Sequence, residues 1–161
     1  VYIVAFREQK DYDNFRMPMP IPLKKKIKDI FDFDNKVEDK YYYTKGKYKK
    51  EMYNMLVNSM DDDSTVYQWR RKYVRKNQSK LVPTLTANMG EGGHNVPLIK
   101  TKYGIRKITP IECFYAQGYP KKYILPKNMC DSKLYKQAGN SVAVPVIERI
   151  ANNIINAMEN N

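Results

Sequence analysis

The stretch Lys136-Gln137-Ala138-Gly139-Asn140-Ser141-Val142 stands immediately before a regular apolar pattern that runs to the end of the chain. Gly139 and Asn140 both tolerate a positive φ, so we predict a tight turn, after which Ser141 can cap a helix. The apolar residues that follow recur at spacings of three and four and predict a helix with one apolar face: Val144, Ile147, Ile150, Ala151, Ile154, Ile155 and Met158. A polar turn before a helix can be architectural, or it can hold an anionic ligand on free N–H groups.

A second helix start lies at Thr109-Pro110-Ile111-Glu112, where a glutamate follows a threonine at the spacing of a capping box. We interpret Cys113 on this helix as a packing residue. Earlier in the chain, the apolar spacing predicts helices over residues 23–31 and 48–57. Residues 1–6 read as a buried strand, and the proline-rich residues 7–22 as a linker.

Composition points to a polyanionic partner. The 161 residues carry 29 lysines and arginines against 17 acidic residues, a formal net charge of +12. Such a charge favours nucleic acid, although a solvated basic surface is the plainer alternative. Two cysteines and one histidine make a disulfide framework or a metal site unlikely, and no apolar run is long enough to span a membrane, so we expect a reduced, cytoplasmic protein without metal. The chain begins with valine inside a strand pattern and therefore reads as a piece of a longer protein.

The charge is concentrated where residues 65–76 interleave β-forming residues with cations. Five cations fall within seven residues: Arg70, Arg71, Lys72, Arg75 and Lys76. This pattern suits a nucleic-acid groove, and the alternative is a basic edge strand that discourages aggregation. Residues 83–99 then read as a strand, a glycine-rich loop and a strand, without the spacing of a phosphate-binding P-loop.

Three blocks, in this order along the chain, resemble the bacterial DNA (cytosine-5-)-methyltransferases. The final block, Gln137-x-Gly139-Asn140-Ser141-Val142, looks like the last motif of that family, and residues 106–120 resemble the motif before it. Val1-Tyr2-Ile3-Val4-Ala5-Phe6-Arg7 is similar to the strand that opens the C-terminal third. The sequence departs from the family pattern at Ile111 and Tyr115, where arginine is common.

The resemblance implies transfer of a methyl group from S-adenosylmethionine to cytosine in a specific site of double-stranded DNA, within a restriction–modification system. The catalytic Pro-Cys loop, Glu-Asn-Val segment and Arg-x-Arg pair of that family have no match here, so we expect no catalytic residue in this chain and no activity alone. Its expected partner is the missing N-terminal catalytic portion. The chain is then either an excised fragment or the smaller subunit of a split enzyme.

The resemblance also assigns residues to sites. It places Tyr119, Asn140, Ser141 and Val142 beside the cofactor, as one wall of that site. It places Thr84 and Leu85, followed by the glycine loop, in the DNA major groove. Together with the basic segment, the expected DNA-binding residues are Arg70, Arg71, Arg75, Lys76, Thr84, Leu85, Asn88, Gly90, Gly92 and Gly93.

We therefore expect an α+β fold. A small mixed or antiparallel sheet would form from residues 66–74, 81–87, 96–100 and 105–108, with helices beside it. Residues 1–22 would be a strand and linker from a Rossmann-like catalytic domain, 23–108 the recognition domain, and 109–161 helices ending in one that packs on the catalytic domain. That last helix, exposed here, could also mediate self-association. The alternative function is a stand-alone basic nucleic-acid-binding module.

Overall fold

In the computed structural model, which describes residues 1–70, 72–91 and 95–159, the chain folds as two units. One unit combines Val1–Leu23 with Val142–Asn161, and the other is Lys24–Ser141. We predicted a boundary between the recognition domain, residues 23–108, and the helices of residues 109–161. In the structure, those that precede Val142 belong to the same unit as the sheet.

The larger unit is built on a four-stranded antiparallel sheet. Its strands are β1 (Tyr67–Arg70), β2 (Tyr73–Lys76), β3 (Leu98–Thr101) and β4 (Gly104–Lys107), in the order β2-β1-β3-β4. The two hairpins meet where Tyr67 lies opposite Leu98. The predicted α+β class is confirmed.

Two of the predicted strands were wrong. The predicted strand of residues 66–74 is divided between β1 and β2, because Lys72 lies in a turn and the β-forming residues on either side pair with each other, Trp69 opposite Val74. Residues 82–86 carry no strand. Pro83 supplies no N–H to a ladder, and this segment instead runs extended over the core.

Side-chain alternation gives the sheet two buried faces. On one face, Tyr67, Leu98 and Ile105 join an aromatic core with helix α3 (Lys50–Ser59), whose Leu56 is fully buried. On the other face, Ile99 joins a larger core. Its other buried members are Ile27, Phe31, Val66, Leu85, Met89, Val96, Ile108, Cys113, Phe114, Tyr135 and Ala138.

The remaining helices of this unit follow the apolar spacing only in part. Helix α2 is limited to Ile27–Ile30, and Leu23 stays exposed. A 3₁₀ turn covers Asp39–Tyr41. Helix α4 (Pro110–Ala116) begins with the predicted capping box: the Thr109 side chain accepts a hydrogen bond from the Glu112 main-chain N–H, and the Glu112 carboxylate accepts from the Thr109 N–H.

Helix α5 (Asp131–Asn140) extends through the stretch that we predicted to be a tight turn. Gly139 lies in its last turn and is not among the described residues with positive φ. Position 139 requires glycine because α5 lies very close to the main chain of Thr86, whose carbonyl would be 2.3 Å from a Cβ at this position. Ser141 also differs from the prediction, because its hydroxyl donates to the Ala138 carbonyl and closes α5 rather than capping the next helix.

The smaller unit pairs helix α1 (Gln9–Asn14) with helix α6 (Val144–Glu159). Side chains of α6 hold the extended segment after α1: Arg149 donates to the Met19 carbonyl and Asn153 to the Arg16 carbonyl. The predicted strand at residues 1–6 was wrong, because within the described part of this unit there is no strand for it to pair with. Helix α1 likewise occupies part of the predicted linker.

Candidate DNA-binding groove

An open groove of about 590 Å³ lies between the β1–β2 hairpin and the extended segment that follows it. It brings together four of the predicted DNA-binding residues, Arg70, Arg75, Thr84 and Asn88. The other lining residues are Gln68, Asn77, Ser79, Leu81, Val82, Pro83, Thr86 and Asn95. Two stretches that are separate in sequence therefore form one surface.

The groove is electropositive. Among the described residues that line it, two are arginines and none carries a carboxylate. A second cavity of about 500 Å³ in the same unit differs in this respect, since its lining mixes Lys28 and Lys121 with Asp29, Asp32, Asp34 and Glu112. A polyanion is therefore accommodated better by the groove.

The hairpin places its cations on two different sides. Gln68 lies directly opposite Arg75, and Arg70 is two residues from Gln68, so these three side chains share the groove face of the sheet. Tyr73, opposite Arg70, is exposed at the end of the same face. Because side chains alternate along a strand, Lys76 projects to the other face from Arg75.

Lys76 is committed to an acidic pair. Its Nζ lies 2.9 Å from Asp61 Oδ1 and 3.3 Å from Asp62 Oδ2. Hydrogen bonds from the Ser64 hydroxyl and main-chain N–H, each 2.7 Å long, lower the pKa of Asp62 to about 2, with a smaller contribution from Lys76. The predicted role of Lys76 in DNA binding therefore lacks support from its position, and the aspartates at 61 and 62 act as its partners.

The extended segment contributes alternate residues to the groove. Thr84, Thr86 and Asn88 line it, whereas Leu85 is buried in the larger core. Any contact of Leu85 with DNA is therefore restricted to its main chain, and its place among the DNA-binding residues stays a prediction. Of the other predicted residues, Arg71, Gly92 and Gly93 lie outside the described residues, as does His94.

Three amide side chains that line the groove, those of Gln68, Asn77 and Asn88, accept hydrogen bonds within the protein through their carbonyl oxygens. Arg70 Nη2 lies 3.3 Å from Gln68 Oε1, and Thr86 Oγ1 lies 2.9 Å from Asn88 Oδ1. At the end of the groove, Ser79 Oγ donates to Asn77 Oδ1 at 2.9 Å. These bonds turn the amide oxygens of Gln68 and Asn88 towards donors within the protein, and the Asn77 amide nitrogen in addition donates to the Leu81 carbonyl.

Sequence reasoning missed Gln68, Asn77, Ser79, Thr86 and Asn95. Gln68 alternates with arginine on a strand, and this period of two could have indicated it once the hairpin was known. The remaining four lie in turns or extended segments, where side-chain direction depends on the tertiary fold rather than on a local period.

Helix α5 supports the groove from behind at two close contacts. The main chain of Thr86 and Ala87 lies against Gly139, and Gly90 lies where a Cβ would be 2.9 Å from Tyr135 Cβ and 3.1 Å from Ser132 Cα. Both glycines are needed for packing. Gly90 was predicted to let the main chain approach DNA, and the structure gives it this additional reason.

The predicted cofactor residues are only partly brought together. Asn140 and Ser141 line a cavity of about 420 Å³ at the end of α5, with Met129, Lys133, Lys136 and Gln137. Tyr119 is half-buried and packs edge-on against Phe114, with ring centroids 5.1 Å apart, and is not among the described lining residues of that cavity. Val142 begins the segment assigned to the smaller unit and is exposed.

A buried ion pair ties the motif of residues 106–120 to the sheet. The guanidinium of Arg106, fully buried on β4, contacts both carboxylate oxygens of Glu112 at 2.7 Å and donates to the Asp32 carbonyl. Glu112 also accepts from the main-chain N–H groups of Asp32 and Thr109. These contacts make the motif structural, since neither charge is accessible to a ligand.

The cysteines differ in environment. Cys113 is fully buried in the larger core, and burial raises its pKa well above the usual value, which confirms it as a packing residue. Cys130 is exposed, and a hydrogen bond with the Ser132 hydroxyl lowers its pKa. In the described part of the chain, no histidine, cysteine or acidic residues cluster as metal ligands, and no helix is long and apolar enough to cross a membrane.

Comparison with known proteins decides the family. The model of the C-5 cytosine-specific DNA methylases matches residues 1–156. The chain belongs to this family. The chain is 58% identical over 158 residues to the Type II methyltransferase M.Bsp6I of Bacillus sp. (strain RFL6), covering 98% of the chain and 49% of the relative. Against M.SsoII of Shigella sonnei it is 31% identical over 161 residues, covering 99% and 40%.

The relatives are longer proteins. The chain spans about half the length of M.Bsp6I and less of M.SsoII. Among solved structures, the Entamoeba histolytica methyltransferase EhMeth matches with a TM-score of 0.50 at 16% identity, covering 89% of this chain and 44% of that one. This likeness supports the fold alone. The resemblance drawn from the sequence motifs is thereby confirmed at the level of the family.

Proposed function

We propose that this chain is the target-recognition portion, with the last two motifs, of a DNA (cytosine-5-)-methyltransferase of a restriction–modification system. The complete enzyme would transfer a methyl group from S-adenosylmethionine to cytosine within a specific double-stranded DNA site. Membership of the C-5 cytosine-specific family supports the reaction, and the Type II relatives support the restriction–modification setting.

The observation that carries the recognition role is the groove. It joins the basic hairpin to the Thr84–Asn88 segment in a surface with arginines, amides and hydroxyls but no described carboxylate. Arginine and amide side chains are the groups that pair with base edges, and arginine also binds phosphate. A cleft that held a small neutral metabolite would not need this charge.

The chemistry is proposed to come from a catalytic portion outside these residues. The chain spans about half of M.Bsp6I, and its buried thiol at Cys113 is kept protonated in the core. A thiol needs its thiolate form to act as a nucleophile. The cavity beside Asn140 and Ser141 would form one wall of the S-adenosylmethionine site, the catalytic portion supplying the rest.

The smaller unit is the proposed contact with the catalytic portion. Of the apolar stripe predicted on α6, only Ile150 is buried, and Ile155 is about half exposed. Val1 and Ile3 at the chain start are exposed as well. Apolar surface of this kind is stabilised when covered, so a second copy of the chain could occupy it when the catalytic portion is absent.

Complementation tests this function. The chain is mixed with the N-terminal half of M.Bsp6I, and transfer of labelled methyl groups to DNA is measured. We expect transfer by the mixture and none by either part alone. The control omits S-adenosylmethionine. Salt-sensitive DNA binding by the chain without any recovered transfer would instead favour the stand-alone nucleic-acid-binding module.

A further inference from the structure

The groove amides are oriented by hydrogen bonds to neighbouring side chains. A free glutamine or asparagine amide matches adenine because it can donate to N7 and accept from N6. Here the amide oxygen accepts from a donor within the protein, at Gln68 from Arg70 and at Asn88 from Thr86. Each oxygen keeps one lone pair, but it is turned towards its neighbouring side chain, so the N–H groups of both amides are favoured to meet a ligand.

The arrangement on the hairpin reinforces this donor character. Gln68 is nearly buried at the groove floor, with 9% of its surface exposed, so its amide has little freedom to turn over. Arg75 lies opposite Gln68 across the hairpin, and Arg70 holds the Gln68 oxygen from two residues away. Guanidinium groups are donors only, so the Gln68 oxygen, already bonded to Arg70, is the single acceptor among these three side chains, and donors predominate.

From this geometry we infer that the groove reads guanine, through donors from Gln68 and Arg75 that meet N7 and O6 on its major-groove edge. Guanine is the base that shows two adjacent acceptors there, whereas cytosine shows a donor and adenine one of each. The inference rests on the proposed recognition function and adds the base and the residues that read it. Arg70 acts as a positioning residue, because it orients the Gln68 amide.

A change in the DNA tests the inference without altering the protein. The chain first selects its preferred site from a randomised duplex pool. Each guanine of that site is then replaced by 7-deazaguanine, which lacks the N7 acceptor, or by inosine, which keeps the whole major-groove edge. We expect 7-deazaguanine at one guanine to weaken binding by at least about fivefold, and inosine at the same position to have little effect.

Variants then assign that effect to the residues. Gln68→Met keeps the side-chain length and removes the amide, and Arg75→Met removes the guanidinium. In either variant the difference between guanine and 7-deazaguanine should shrink. The matched controls are Gln78→Met, an exposed amide in the following turn, and Lys102→Met, a cation in the β3–β4 turn, both outside the described lining of the groove. These should retain the full difference.

Failure of the inference can be told apart from failure of the function. If the chain selects no sequence from the pool, both are wrong. If it selects a duplex without any G·C pair, the proposed cytosine-specific function is wrong as well, because a cytosine in duplex DNA is paired with guanine. If it selects a site but tolerates 7-deazaguanine at every guanine, the recognition role stands and the reading of guanine is wrong. Uniform weakening of Arg75→Met on all sequences, with a smaller salt dependence, would show a phosphate contact and would also overturn the inference.

Discussion

Replacing Gly139 by alanine tests the contact between α5 and the Thr84–Asn88 segment. The added Cβ would lie 2.3 Å from both the carbonyl carbon and oxygen of Thr86, and 2.5 Å from the Ala87 nitrogen. Ordinary contacts begin at 3.4 Å, so helix and segment must separate by roughly 1 Å. The obstructing atoms are main chain and cannot turn away as a side chain would.

Two opposing terms set the size of the effect. Overpacking of this kind costs about 1–3 kcal/mol, and a main-chain obstacle places it near the upper end. Alanine is a better helix former than glycine by up to about 1 kcal/mol, which offsets part of the cost in the last turn of α5. We therefore expect Gly139→Ala to lower the free energy of unfolding by about 2 kcal/mol.

Urea unfolding followed by circular dichroism measures this change. Gln137→Ala, at an exposed position of the same helix, is the control for helix propensity alone. Gly90→Ala meets Tyr135 Cβ at 2.9 Å and Ser132 Cα at 3.1 Å, and it should cost less because this overlap is smaller. A Gly139→Ala protein as stable as the parent, or more stable, would refute the close contact and leave only the propensity term.

The remaining predictions concern charge and access. Glu112→Gln should destabilise the chain by about 3 kcal/mol in thermal unfolding, because the fully buried Arg106 loses its counter-charge. The control Glu91→Gln, at an exposed position, should have little effect, and equal effects of the two substitutions would contradict the structural role of the buried pair. An NMR titration should place the pKa of Asp62 near about 2, and Ser64→Ala should raise it towards the usual 3.8. Because this pKa is lowered on folding, its stabilising contribution is present above about pH 4 and is lost as the pH falls towards 2, and an Asp62 that titrates normally in the parent would refute the hydrogen bonds from Ser64. Arg70→Ala should weaken DNA binding. If Arg70 contacts a phosphate, the salt dependence of the binding constant should fall by about one unit; if Arg70 only positions Gln68, that dependence should stay unchanged while the preferred DNA site changes. Parental binding and site preference at all salt concentrations would exclude Arg70 from the interface. A thiol reagent should label Cys130 rapidly and Cys113 only after unfolding, and rapid labelling of both would contradict the burial of Cys113.

The sequence predicted features that depend on local chemistry. The capping box at Thr109, the helix of residues 48–57 and the strands of residues 96–100 and 105–108 follow from neighbouring residues, and all are present within a few residues of the predicted limits. The family could likewise be identified from short motifs, which the match to residues 1–156 confirms.

Features that depend on distant partners could not be predicted in the same way. Residues 1–6 have the composition of a strand, but a strand requires a neighbour, and the described part of their unit contains none. Gly139 illustrates the same limit, because the sequence indicated an unusual φ while the actual reason is a main-chain contact with residues more than fifty positions earlier.

Only some of the residues that line the groove could be predicted, because the groove also depends on contacts between distant residues. Its cations and the Thr84–Asn88 segment could each be predicted from the sequence as DNA-binding residues. That they line one surface depends on the β1–β2 hairpin, which places Arg70 and Arg75 beside that segment. Alternation along β2 places Lys76 and Arg75 on opposite faces, so residues that looked equivalent in the basic run have different partners. An alternating period becomes informative only after the register is known.

The position of β2 at the end of the sheet order adds a consequence for the protein when no DNA is bound. An edge strand exposes unpaired main-chain N–H and C=O groups on which another chain can add a strand, and charged side chains discourage this. The cations of β2 would thus keep free protein molecules from aggregating and also take part in DNA recognition. The two interpretations of the basic segment, a nucleic-acid groove and a basic edge strand, are therefore compatible. Engineering a new DNA specificity by neutralising these cations would then carry a cost in colloidal stability, visible as fibrils or precipitate before any loss of folding.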